Sequence, residues 1–86
     1  MEVFDRVFLN TLLWVFPVAH RPAVQAIIDG PGSVYQKGDA IYNLLIDLVL
    51  RGAPGLRFNN VAAVTEWYNM RVAQYNHHLN GDAQVA

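Results

Sequence analysis

Proline and glycine interrupt the chain at three places, and each interruption lies between two segments with a helical pattern of apolar residues. The interruptions are Pro17, the Gly-Pro-Gly turn at 30–32 and the Gly-Ala-Pro-Gly turn at 52–55. No segment between them alternates apolar and polar residues as a half-buried strand does. Since 86 residues suffice for one domain, the sequence predicts a single all-α domain over residues 1–86, a small bundle of about four helices.

Capping and stop signals place the ends of the helices. The fourth helix begins after Asn59 or Asn60, either of which can cap it. Two starts are open for the third helix: a cap at Asp39, or a capping box that begins at Ser33. The second choice leaves Gly38 inside the helix, at a cost of about 1 kcal/mol. We predict helices at about 2–16, 22–29, 34–51 and 60–79, followed by a flexible tail at 80–86.

Apolar residues at helical spacing indicate the inward face of each helix. On the first helix this face contains Phe4, Val7, Phe8, Thr11 and Val15, and the opposite face begins with Glu2, Asp5, Arg6 and Asn10. The inward residues of the second and third helices are Val24, Ile27, Ile28, Ile41, Leu44, Leu45, Leu48 and Val49. Those of the fourth are Val61, Val64, Tyr68, Val72, Tyr75 and Leu79. We also expect Trp14 to pack on the flank of the core.

Many apolar residues remain outside these inward faces. Charged residues make up 15% of the chain, against about 25% in a typical soluble domain. A domain of this size buries only about 60–65% of the surface of its unfolded chain, so surplus apolar side chains indicate a protein or membrane neighbour. We predict that the contact surfaces contain Leu9, Leu13, Phe16, Ile46, Leu50, Leu56, Phe58, Trp67 and Met70.

Few residue types suited to catalysis or metal binding are present. The chain has no cysteine, which excludes disulfides, thiolate zinc sites and thiol nucleophiles. His77 and His78 are adjacent, so on a helix they point about 100° apart and do not form a metal site together. Ser33, the sole serine, suits a helix cap. We therefore predict a protein that is not an enzyme, with no catalytic or metal-binding residues, no cofactor and no small-molecule substrate.

The balance of charge argues against nucleic acid as a partner. Six Lys and Arg stand against seven Asp and Glu, for a net charge of −1, whereas phosphate contacts require an excess of cations. If the third and fourth helices formed a helix-turn-helix, Arg71 would be the one cation on the recognition helix. No run reaches the roughly 18–20 apolar residues of a membrane span. We predict no direct nucleic-acid binding and no membrane association.

Two stretches carry a resemblance to a known family. The sequence AIYNLLIDLVLRGAPGLRFNNVAAVTEWYNMRVAQ at 40–74 and the proline-broken VFPVAHRP at 15–22 are similar to the N-terminal helical domain of the adenovirus hexon-associated minor capsid (cement) protein IIIa. The family's proteins are several times longer and contain further helical domains. The chain resembles their N-terminal module.

The resemblance implies a structural role in the virion. A module of this family would lie on the inner capsid surface and would glue the penton base to the surrounding hexons. It would also contact neighbouring copies and other minor capsid proteins, and it would pass through the host nucleus during assembly. The alternative expectation is a small α-helical protein that binds and regulates a host or bacterial target.

Overall fold

The computed structural model describes the backbone of residues 2–85 and the side chains of residues 2–79. Its helices are α1 (Val3–Leu13), α2 (Arg21–Asp29), α3 (Val34–Leu50) and α4 (Val61–Val85), and a short 3-10 turn at Val18–His20 precedes α2. No strand occurs in residues 2–85, so the predicted all-α class with four helices is confirmed. α1 packs against the other three helices, and α3 also packs against α2 and α4.

Two helices end at positions that differ from the predicted ones. α1 ends at Leu13 rather than at residue 16, because its last turn tightens. The amides of Val15 and Phe16 donate to carbonyls three residues earlier, at 3.4 and 3.1 Å. α4 continues to Val85. The tail predicted at 80–86 therefore begins as helical backbone, and its last residue lies outside the described residues.

Side-chain caps fix the starts of α3 and α4. Ser33 Oγ accepts a hydrogen bond from the Gln36 amide at 3.1 Å, and Gln36 Oε1 accepts one from the Ser33 amide at 2.8 Å, which completes a capping box. The Oδ1 atom of Asn60 accepts the Ala63 amide at 2.8 Å at the start of α4. Of the two predicted starts for α3, the structure selects Ser33 and so places Gly38 inside the helix.

The core is apolar, and all four helices contribute to it. No polar or charged residue is buried among the side chains of residues 2–79. Predicted inward positions that are buried on α2, α3 and α4 are Val24, Ile28, Ile41, Leu45, Leu48, Val64, Tyr68 and Tyr75. Leu79, also predicted inward, is 37% exposed. The Tyr35 hydroxyl, at the start of α3, donates a hydrogen bond to Asn76 Oδ1 on α4. The residues of α4 after Asn76 therefore extend beyond the first turn of α3.

α1 is rotated about its axis relative to the prediction. Leu9, Leu13 and Phe16, predicted as contacts for a partner, are core residues with exposed fractions of 0, 8 and 1%. Val7 and Trp14, predicted in the core, are instead 57% and 62% exposed. The buried face is therefore displaced by roughly one residue's rotation, about 100°. These three contact predictions are wrong, because side chains so deeply buried are not available to a second protein.

A hydrogen bond at Asp5 supports this rotation. The polar pattern of the first turn predicts an outward Asp5, but its carboxylate accepts a hydrogen bond from the Tyr75 hydroxyl of α4. Because the bond satisfies the carboxylate at the edge of the core, this side of α1 can face the bundle without an unpaired charge. Asp5, one of the polar residues predicted on the outer face, thus lies against α4.

α1, α3 and α4 come close together at Gly38. A Cβ atom at this position would lie 2.8 Å from the Tyr68 hydroxyl and 3.2 Å from Cε2 of Phe8. Aromatic rings stack around this point, with centroids 4.9 Å apart for Phe8 and Tyr75 and 4.6 Å apart for Tyr42 and Tyr68. The absence of a side chain on Gly38 lets aromatic residues of α1 and α4 contact the backbone of α3.

The connector between α3 and α4 packs on its own domain. Gly52, with φ of 70°, ends α3, and the Ala53 amide donates to the Leu48 carbonyl at 3.0 Å, as in a Schellman motif. Leu56 and Phe58 follow and are half-buried against the core. The domain itself therefore covers part of the apolar surface that was predicted to contact a partner.

Replacing Gly38 with alanine tests the close approach of the helices. Helix propensity alone would make Gly38→Ala stabilising by about 1 kcal/mol. The added Cβ forces Tyr68 and Phe8 apart, and such overpacking costs about 1–3 kcal/mol. We expect a net loss of about 1 kcal/mol in the free energy of unfolding, measured by urea denaturation. The control Asn43→Ala, at an exposed site on α3, should not destabilise. An increase in stability for Gly38→Ala would contradict the packing.

Candidate functional site

A groove runs between α1 and α4, which lie antiparallel. It consists of two depressions of about 400 and 70 Å³ that share Thr11 and Arg71. The larger depression is lined by Trp14, Arg57, Phe58 and Trp67, and the smaller one by Phe4, Val7, Gln74 and His78. We call this surface the α1–α4 groove.

The rotation of α1 creates one wall of this groove. Val7, Thr11 and Trp14 follow one another at four- and three-residue spacing, so they lie on one face of the helix. The Thr11 hydroxyl donates to the Val7 carbonyl at 2.8 Å, which satisfies this polar group within α1. The wall therefore presents mainly apolar surface to solvent, with Val7 and Trp14 more than half exposed.

Aromatic contacts shape the wider end of the groove. The rings of Phe58 and Trp67 lie 5.4 Å apart between centroids. The guanidinium carbon of Arg21 lies 4.7 Å from the centroid of Trp14, within the distance of a cation–π contact. Arg21 Nε also donates to the Phe16 carbonyl at 3.1 Å. The indole of Trp14 is thus held against a cation although most of its surface is exposed.

The groove is cationic as well as apolar. Arg57 and Arg71 line it, and no Asp or Glu does so among the described side chains. Arg71 donates from Nη1 to Gln74 Oε1 at 2.9 Å, while its Nε is shielded from solvent and has no acceptor within the described part of the chain. A buried donor without an acceptor is uncommon in folded proteins. The Nε of Arg71 is therefore left unpaired by the described residues, while Arg71 itself lines both depressions of the groove.

The predicted contact residues fall into three groups. Phe58 and Trp67 line the groove. Met70, 53% exposed, follows Trp67 by three residues and so lies next to it on the surface of α4, but it lines neither depression. Leu50 is 73% exposed at the end of α3, outside the groove. The remaining residues are half-buried against the domain's own core, namely Ile46 and Leu56, or fully buried, namely Leu9, Leu13 and Phe16.

Val7, Trp14 and Arg71 line the groove but are not among the contact residues predicted from the sequence. One signal for Arg71 is present in the sequence: it is the sole Lys or Arg within Val61–Val85. The exposure of Val7 and Trp14 has no comparable signal, because apolar residues surround most of α1.

A third depression, separate from the α1–α4 groove, lies between α1, α2 and α3. It has a volume of about 920 Å³ and a polar lining. Its charged lining is balanced, with Asp5 and Asp29 against Arg6 and Lys37. Lys37 Nζ donates to the Ile28 carbonyl at 2.7 Å, and Asp29 accepts a hydrogen bond from Gln25 at 3.0 Å. Because these groups offset or satisfy one another, the depression shows no preference for a charged ligand.

The described residues contain no group of three or more His, Cys, Asp and Glu that could hold a metal ion. His78 instead stacks on Phe4, with ring centroids 5.5 Å apart. Within the same part of the chain, no helix combines the length and the apolar character needed to cross a membrane.

Two tyrosines are paired with carboxylates. Tyr75, which lines the groove floor, donates to Asp5, and Tyr68 donates to Asp39 at 3.0 Å. Burial, reinforced by the adjacent carboxylate, raises the pKa of Tyr75 to about 12. The same two causes raise the pKa of Tyr68 further. Each hydroxyl therefore stays protonated and keeps donating well above neutral pH.

Comparison with known proteins finds no matching family model, no matching curated protein and no matching solved structure. The resemblance to the adenovirus cement family stays a prediction.

The Tyr75–Asp5 pair predicts a loss of stability at alkaline pH. Because folding raises the pKa of Tyr75 from 10.0 to about 12, its stabilising effect is complete below pH 10 and declines as the pH rises towards 12. We expect the free energy of unfolding, followed by circular dichroism, to fall across this window. Tyr75→Phe should make the decline shallower than it is in the wild-type chain. An unchanged slope in Tyr75→Phe would contradict the pairing.

Leu13 and Leu50 form a matched pair for testing the rotation of α1. Each is the last residue of its helix, but Leu13 is 8% exposed and Leu50 73% exposed. Leu13→Lys should lower the free energy of unfolding by about 3 kcal/mol or more, because it buries a charge in the core. Leu50→Lys should change it by less than about 0.5 kcal/mol. Equal thermal denaturation midpoints for the two variants would refute this placement.

Proposed function

We propose that this chain is a non-catalytic helical module that works by binding other proteins, and that it serves as a cement module of a viral capsid. The observation that carries the proposal is the set of large apolar side chains left exposed around a complete core. Trp14, Leu50 and Met70 are 62, 73 and 53% exposed. Each would release water from apolar surface on association, at about 25 cal/mol per Å².

The exposed residues are not needed to build the domain. Fourteen residues already form a buried apolar cluster to which each helix contributes. Polar residues at Trp14 or Leu50 would leave this cluster intact. Contact with a partner is therefore a better explanation of the exposed side chains than folding is.

More than one exposed face favours a bridging role. The α1–α4 groove is one face. Leu50, 73% exposed, and Val18, 72% exposed, lie outside its lining. A module that glues two neighbours requires separate surfaces, whereas a regulator of a single target requires one. This distribution supports the cement role over the alternative of a small regulator.

The finer proposal follows from the family resemblance. We place the module in the virion, on the inner capsid surface, between the penton base and the adjacent hexons. Contacts with neighbouring copies and other minor capsid proteins belong to the same proposal. This role requires no catalytic residues. It requires a stably folded domain with apolar contact surfaces.

Binding to capsid proteins tests this proposal. The genome that encodes the chain should also encode a penton base and a hexon, and the purified chain should co-sediment with them. Trp14→Asp and Leu50→Lys alter different faces, so each should weaken capture of a different partner at least tenfold while the helical circular dichroism persists. Asn43→Asp, at an exposed polar site on α3, is the matched control. The proposal is wrong if the wild-type chain captures neither protein, or if both variants bind as well as the wild type.

A further inference from the structure

We propose that the α1–α4 groove binds a short acidic and apolar segment of a partner protein. The segment inserts an apolar side chain between Trp14 and Trp67 and places a carboxylate against Arg71. This inference rests on the proposed function, since it names the chemistry of a partner for one of the module's faces.

The distribution of charge supports an acidic partner. Arg21, Arg57 and Arg71, three of the chain's six Lys and Arg residues, surround the aromatic end of the groove. No acidic side chain lines either depression among the described residues, although the chain as a whole carries a net charge of −1. A local cluster of cations on a slightly acidic chain complements a negatively charged segment and disfavours a basic one.

Arg71 is the residue most suited to hold the carboxylate. It belongs to both depressions and so lies at the centre of the groove. Gln74 occupies its Nη1, whereas its shielded Nε has no acceptor in the described residues. A guanidinium can bind a carboxylate through two parallel N–H groups, which fixes orientation as well as charge. A ligand carboxylate in the groove would therefore meet the charge of Arg71, which lines both depressions.

The wider end of the groove suits an apolar anchor. Its volume of about 400 Å³ is bounded by Trp14, Phe58 and Trp67, and clefts of roughly 300–1,000 Å³ are typical of ligand sites. Aromatic and Arg side chains are also the residues that contribute most to protein interfaces. A large apolar side chain of the partner can enter between the two indoles while an adjacent carboxylate meets Arg71.

The length of the groove limits the segment. The lining residues of α4 extend from Trp67 to His78, a distance of roughly 16 Å at 1.5 Å per residue. About three turns of a bound helix, or ten to twelve residues, cover this length. The smaller depression of about 70 Å³ beside Val7 and His78 accepts a small side chain at the other end.

Selection from a random peptide library provides the test. Twelve-residue peptides displayed on phage would be panned against the immobilised full chain. We expect the selected peptides to pair Asp or Glu with an aromatic residue or leucine, and their affinity, measured by fluorescence anisotropy, to fall as salt rises. Peptides without an acidic residue, or no selection at all, would overturn the inference.

Variants then locate the bound peptide. Arg71→Gln and Trp14→Ala should each weaken a selected peptide at least tenfold, and Arg71→Lys, which keeps the charge without the planar fork, should give a smaller loss. The matched control is Arg51→Gln, because Arg51 pairs with Asp47 at 2.9 Å and does not line the groove. Circular dichroism checks that each variant is folded. Equal losses for Arg71→Gln and Arg51→Gln would overturn the assignment.

Failure of the acidic-partner inference can be distinguished from failure of the proposed capsid function. Capture of capsid proteins that is sensitive to Trp14→Asp but not to Arg71→Gln would retain the binding role and overturn the acidic partner. Peptide binding without capture of capsid proteins would retain the acidic partner and overturn the capsid role. Self-association of the chain that is lost in Arg71→Gln would identify a second copy as the occupant, and would overturn the assignment to another protein.

Discussion

The close approach of three helices at Gly38 determines how the rest of the domain is arranged. Because α3 has no side chain at this point, Phe8 of α1 and Tyr68 of α4 reach its backbone. α1 then lies with Leu9 and Leu13 in the core. Its opposite side, with Val7 and Trp14, is left outside beside α4. The groove is therefore a direct consequence of the helix packing that a single glycine permits.

Tyrosine hydroxyls keep this apolar arrangement compatible with nearby charges. Tyr75 donates to Asp5 and Tyr68 to Asp39, so two carboxylates are satisfied at the edge of the core. Burial costs the phenolate form more than the phenol, which keeps both donors protonated. These pairs connect α1 and α3 to α4 without placing an unpaired polar group inside.

The sequence was sufficient for the fold class and for most helix ends, because those depend on local chemistry. Pro17, Ser33 and Asn60 act within a few residues of their own positions. The orientation of α1 depends instead on residues distant in sequence, including Gly38 and Tyr75. α1 is apolar on two sides, so its periodicity fits either orientation, and the predicted contact residues Leu9, Leu13 and Phe16 are buried. Trp67 and Met70 were identified as surface candidates because α4 has a single inward stripe, and Phe58 because it lies in the connector before α4.

Hydroxyl-radical labelling of Trp14, in the groove, and of Met70, next to Trp67 on α4, would show whether a partner covers this face of the domain. Hydroxyl radicals would modify Trp14 and Met70 in the free chain, where both are more than half exposed, and Phe16 would be unreactive. We predict that Trp14 and Met70 become protected when the chain is bound within a capsid, while Phe16 stays unreactive in both states. Equal modification of Trp14 and Met70 in free and bound chain would contradict the proposal that this groove is a binding surface.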